Sequence, residues 1–187
     1  MKKFFLVASA FSVFAGVATA QVVETLPTSL PVIPKTLRAG LLARFDESSS
    51  KVLQLAEAIP ASKYAWRPAR GVRSISEALV HVALGNYYTA SDVGVKPPAD
   101  ILGDQHETTV TRKPDVIAFV RRANAHMREA LERLTDEDLQ RPTIMFSQPT
   151  TYQNVYLFGI AHIHEHLGQL IVYARMNRVA PPWSHGH

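Results

Sequence analysis

The 187-residue chain contains no cysteine, which excludes disulfides, thiolate nucleophiles and thiolate metal ligands, so any metal must sit on nitrogen and oxygen donors. Its formal charge is +4, and basic residues such as Arg121 and Arg122 alternate with acids such as Glu129 and Glu132, the pattern of a solvated helix face rather than a nucleic-acid surface.

The first twenty residues read as a cleavable export signal: Lys2 and Lys3, an apolar run over residues 4 to 17, then the small residues Ala18, Thr19 and Ala20. The run is shorter than the roughly 20 residues of a membrane span, and no later segment is apolar enough for an integral span. Without the two signal lysines the mature chain is close to +2 and is expected to be periplasmic or secreted. Residues 21 to 34 carry Pro27, Pro31 and Pro34 without sustained periodicity, and predict an extended lead-in.

The folded domain is expected over residues 35 to 180. Leu37, Leu41, Phe45, Val52, Leu55 and Ile59 recur at three- and four-residue steps, predicting a first helix that Pro60 stops. Ser74-Ile75-Ser76-Glu77 has the spacing of a capping box and predicts a second helix from about 75 to 91. Gly94, Pro97, Pro98 and Gly103 fill a long crossover. A third helix follows Lys113-Pro114-Asp115 through Val116, Val120, Ala123, Met127 and Leu131 to near Thr135. A loop with Pro142 and Pro149 leads to a fourth helix from about Gln153 to Asn177, before Pro181 and Pro182 end it and residues 181 to 187 form a tail. No stretch alternates convincingly as a strand. The fold class is therefore all-α, a four-helix bundle with a long crossover connection, an architecture whose metal sites are built from inward-facing side chains.

The fourth helix contains Ala161-His162-Ile163-His164-Glu165-His166-Leu167-Gly168-Gln169. His162 and His166, four residues apart, stack on one face, whereas His164 points about 200° away from His162. The main apolar stripe falls on Ile160, Ile163, Leu167, Leu170 and Ala174. The two histidines lie on its flank beside Val155, Gly159 and Tyr173. Two stacked imidazoles can share one cation, and core-edge histidines satisfied by hydrogen bonds are the alternative. A third ligand must come from elsewhere. His81 lies mid-helix between the small residues Ala78 and Gly85, which leave room for an ion and a substrate, but His126 competes for the position. His106, His185 and His187 fall in loop or tail and are expected to be solvated. Tyr88 shares the His81 face. Glu77 and Glu165 are candidates to orient a ligand imidazole, although capping explains the first and solvent the second.

These motifs resemble the DinB-like superfamily, with its DinB-type and YfiT-type groups. The resemblance is carried by Tyr64-Ala65-Trp66-Arg67-Pro68, by Arg73-Ser74-Ile75 followed by His81, by His162 to Leu170 continuing into Tyr173-Ala174-Arg175-Met176-Asn177, and by the closing Ala180-Pro181-Pro182 of exported members. It implies a three-histidine divalent-metal site on His81, His162 and His166, in a bundle that is frequently a homodimer. The three nitrogens should converge within about 3 to 4 Å. Zinc is the default metal, nickel, iron and manganese are open, and copper is favoured by raw affinity. Three neutral imidazoles leave a coordination position at which water or a substrate thiol or oxygen could ionise. The expected function is thus a metal-dependent hydrolase or thiol transferase acting on a small-molecule substrate. The alternative is a non-catalytic metal-binding or stress-associated structural protein.

Overall fold

The computed structural model describes residues 34–101 and 105–184. The expected export signal, nearly all of the lead-in and the end of the tail, with His185 and His187, lie outside the described residues. The first long helix, α1 (Leu37–Ala58), starts where the Thr36 side chain accepts from the Ala39 amide, and it stops as Ile59 turns extended ahead of Pro60. Its stripe of Leu41, Phe45, Val52 and Leu55 is buried, as the periodicity predicts. In α2 (Ile75–Asp92) the capping box is formed in full: Ser74 accepts from the Glu77 amide while Glu77 accepts from the Ser74 amide. Two otherwise orphaned donors are satisfied at once.

The crossover after α2 contains a single turn of helix, α3 (His106–Thr109). The next long helix, α4 (Lys113–Glu132), has Pro114 in its first turn, where a missing amide hydrogen costs nothing. It ends at Glu132, short of the expected Thr135, because the amides of Thr135 and Asp138 exchange hydrogen bonds with each other's side chains and start a new turn. The last helix, α5 (Tyr152–Met176), is capped by Thr151.

The expectation of no strands is corrected by a short hairpin, β1 (Pro142–Met145) and β2 (Gln148–Thr151), paired antiparallel from Pro142 opposite Thr151 to Met145 opposite Gln148. Each strand is four residues long, too short for alternation to stand out. Its turn residues, Phe146 and Ser147, both adopt positive φ, at 50° and 62°. The residues by which such turns are recognised in a sequence are Gly and Asn, and this turn has neither.

Among the long helices, α2 packs mainly on α4 and α5, and α1 mainly on the same two. The bundle order is therefore α1, α4, α2, α5, with α1 diagonal to α2 and α4 diagonal to α5. Phe45, Leu55, Ile75, Leu79, Leu84, Tyr87 and Tyr156 fill the centre and are almost wholly buried. Truncating Phe45 to Ala would cost about 3–5 kcal/mol. The arrangement sets the inner faces of α2 and α5 against each other, which is where the histidines stand. Among the described residues no helix is long and apolar enough to cross a membrane.

Candidate metal centre

His81 comes from the middle of α2, and His162 and His166 from the middle of α5, one turn apart. Their rings form a nearly equilateral triangle, with centroids 5.0 Å apart for His81 and His162, 4.7 Å for His81 and His166, and 4.6 Å for His162 and His166. One ligating nitrogen from each lies within 4.8 Å of the others. The Nε2 atoms of His81 and His162 are 3.2 Å apart. Two imidazoles bound at 2.0–2.1 Å to one tetrahedral ion would stand about 3.3 Å apart.

Gly85 makes this approach feasible. A Cβ at that position would lie 2.6 Å from Cε1 and 2.7 Å from Nδ1 of His162. The space that Gly85 leaves is thus taken by the imidazole itself. The expectation that it leaves room for ion and substrate is corrected in that sense. Ala78, on the other side of His81, is fully buried in the core and opens no space.

The outer nitrogens of His81 and His166 are held by partners. His81 Nδ1 donates to Glu107 Oε1 at 2.6 Å, and Glu107 is gripped in turn by Arg73, whose Nε and Nη2 donate at 2.8 and 3.4 Å. His166 Nδ1 donates to Gln169 Oε1 at 2.8 Å; Gln169 Nε2 donates to the Tyr173 hydroxyl at 2.8 Å, and the Tyr173 ring meets Trp66 edge-on. These bonds select the tautomer in which Nε2 carries the lone pair, the form a metal ligand requires. Burial pulls the Glu107 carboxyl up, but the hydrogen bonds from Arg73 and His81 outweigh it and hold it below its ordinary value. Burial lowers His81, against the pull of Glu107. His162 is pushed down to about 4, first by burial and then by the positive potential of His166, His81 and Arg73. Both are neutral at pH 7, and neutral imidazole is the ligating state. The donor set thus fits a borderline cation of the zinc type.

The remaining histidines stand apart. His126 packs beside the Tyr87 ring, 5.2 Å between centroids, and is not the third member of the cluster. His164 donates from Nδ1 to the Ile160 carbonyl of its own helix. His106 is not solvated as expected: it starts α3, lies half-buried against Phe119, and has a buried Nε2. Glu77 serves its cap and the Arg67 guanidinium, and Glu165 is exposed. The carboxylate that orients an imidazole is Glu107, which gave no signal in the sequence because it lies 26 residues from His81 in the crossover.

A cleft of about 650 Å³ opens beside the cluster, lined by Arg73, His81, Glu107 and His162 at one part and by Tyr88, Asp92, Phe146 and Phe158 at others. Phe158 lies nearly parallel to the His162 ring at 6.4 Å and meets Phe146 edge-on at 5.2 Å. Tyr88, singled out for sharing the His81 face, is 44% exposed on this wall. A bundle with three converging imidazoles, one carboxylate behind them and a partly aromatic cleft in front is equipped to hold an ion and present it to a small molecule.

Comparison with known proteins agrees with the resemblance. The family model of the DinB superfamily matches residues 44–170. A DinB-like protein of Bacillus cereus superposes with a TM-score of 0.70 at 19% identity, over 82% of this chain and 100% of that one. A DinB-like protein of Bacillus subtilis gives 0.62 at 22% identity, over 77% and 96%. At such identities the likeness speaks for the fold alone. No curated protein matches.

Proposed function

We propose that this chain, which belongs to the DinB superfamily, binds one divalent metal ion, zinc by default, on His81, His162 and His166, and uses it to activate a small molecule in the adjoining cleft. The observation that carries the reading is the 3.2 Å approach of the His81 and His162 Nε2 atoms. The bond to Glu107 leaves the lone pair of His81 on Nε2, so at this distance either a proton on His162 Nε2 or a cation lies between the two nitrogens, and both ring nitrogens of His81 then have a partner. A divalent ion on three neutral imidazoles supplies a Lewis acid with an open position, where the pKa of water or of a thiol is lowered. The reaction classes that use this are hydrolysis and thiol transfer.

The chain's own residues have defined parts. Glu107 fixes the His81 ring and places negative charge behind it. Arg73 holds Glu107 and, from the cleft wall, attracts an anionic group of the substrate. Gln169 and Tyr173 fix His166. Phe158 shields the His162 side of the site from water. The export pattern at residues 1 to 20 supports action outside the cytoplasm, checked by N-terminal sequencing of the protein from a fractionated host. Because low-molecular-weight thiols are expected chiefly in the cytoplasm, export favours hydrolysis over thiol transfer.

The test is metal analysis of the mature protein beside His81→Ala and His166→Ala, followed by ester, amide and thiol-transfer screens. One equivalent of metal in the wild type and a large loss in both variants is expected. Full retention in both variants would sink the assignment. Metal without turnover in every screen, together with no exchangeable coordination position by spectroscopy, would make the ion a structural staple.

A further inference from the structure

The cleft extends well beyond the histidines, and its far end has different chemistry. His81, Gly85, Tyr88, Thr89 and Asp92 all line it, and their three- and four-residue spacing puts them along one face of α2. Eleven residues at 1.5 Å each separate His81 from Asp92 by about 16 Å along the helix axis.

At the histidine end the guanidinium of Arg73 faces the cleft, answered by the Glu107 carboxylate. At the other end stands Asp92, the last residue of α2. Among the described residues no cation pairs with its carboxylate, and the last turn of α2 carries no basic residue. The C-terminal end of a helix adds partial negative charge of its own, so a carboxylate there is unfavourable without a cation. Burial pushes the Asp92 carboxyl up, and no neighbouring charge opposes the shift.

Aromatic surface accompanies this charge. The Thr143 hydroxyl donates to the Asp92 carbonyl at 2.6 Å, tethering the hairpin to the end of α2, and the hairpin tip presents Phe146, 73% exposed, against Phe158. Aromatic faces attract cations, alkylammonium groups included. A hydrophobic ring left this exposed on a cleft wall is suited to cover an apolar part of a ligand.

We propose that the cleft takes an elongated small molecule whose ammonium group is seated at Asp92, whose apolar spacer lies along Phe146 and Phe158, and whose reactive end reaches the histidines. The reactive end rests on the metal reading above; the ammonium subsite does not. It predicts a preference for amine-bearing substrates over neutral ones of equal length.

The test uses two probes that differ by one ammonium group, ω-aminododecanoate and dodecanoate, titrated calorimetrically below their aggregation limits into the full mature chain. The wild type should bind the amine-bearing probe at least tenfold more tightly. Asp92→Asn should abolish that preference while keeping its affinity for dodecanoate and its helical circular dichroism. Asp92→Lys should invert it, favouring the dicarboxylate dodecanedioate. Equal affinity for the two probes, no binding of either, or a preference that survives both substitutions overturns the proposal. The same titrations in His81→Ala separate the two readings. Lost metal-dependent behaviour with an intact Asp92-dependent preference supports the subsite independently of the metal. Bound metal in the wild type without any amine preference overturns the subsite alone.

Discussion

Gly85 is one of two glycines on α2 or α5 whose missing side chain is occupied by a neighbour: the His162 imidazole rests where its Cβ would be. The other, Gly159, gives the same room to the Thr89 side chain. Gly85→Ala should raise helix propensity by about 1 kcal/mol yet displace the ring. Metal affinity is therefore expected to fall while the melting temperature of the metal-free protein changes little, as chelator competition and a thermal scan would show. Glu107→Gln acts on the next atom outward. It leaves His81 Nδ1 a hydrogen-bond acceptor but removes the negative charge and leaves Arg73 unpaired. Affinity should drop about 10–100-fold with the fold intact. A smaller change would mean that Glu107 serves the crossover more than the histidine. At this scale the sequence was half legible. The four-residue step from His162 to His166 is enough to stack them, whereas nothing local marks Glu107 or Asp92, whose significance comes from what lies across the cleft.

The elements were more legible than their boundaries, and α2 shows why. Its start is written in Ser74 and Glu77, which satisfy each other's amides. Glu77 is subject to burial, which raises its pKa, but the Ser74 amide and the Arg67 guanidinium outweigh this and hold it below 4.5. A carboxyl with a lowered folded pKa contributes stability that is present above its unfolded pKa and lost as pH falls through the folded one. Glu77→Gln should therefore cost about 1 kcal/mol at pH 7, and denaturant titrations should show the difference shrinking away as the pH falls through the lowered carboxyl pKa. A gap that persists in acid would assign the cost to packing instead. The hairpin was not legible, since its turn places Phe146 and Ser147 at positive φ without Gly or Asn. Ser147→Gly removes a left-handed strain of about 1–2 kcal/mol and adds back about 0.5–1 kcal/mol of glycine entropy. A slightly higher melting temperature is expected, and a lower one would show that the Ser147 side chain matters.

Across the whole molecule the metal would join α2 to α5, two helices nearly 60 residues apart in the chain by their facing ends, Asp92 and Tyr152. An ion bound only by the folded state at a free concentration 1,000 times its Kd adds about 4 kcal/mol, or roughly 10 °C in a domain of this size. Zinc should raise the melting temperature by that order and a chelator should reverse it; no response in the wild type would count against a site spanning the two helices. The all-helical class, four long helices, the α2 cap and the HxxxH pair follow from the sequence by itself, because periodicity, capping and helical spacing are local properties. Whether His81 or His126 completes the cluster was decided only by tertiary structure. Helix order around the bundle sets α2 beside α5 and α4 across the diagonal, turning His126 to Tyr87 and His81 to His162. Glu107, the Phe146 wall and the acidic far end of the cleft belong to the same category. Each depends on a crossover or hairpin folding back over α2, and packing across the bundle leaves no periodic trace in the chain.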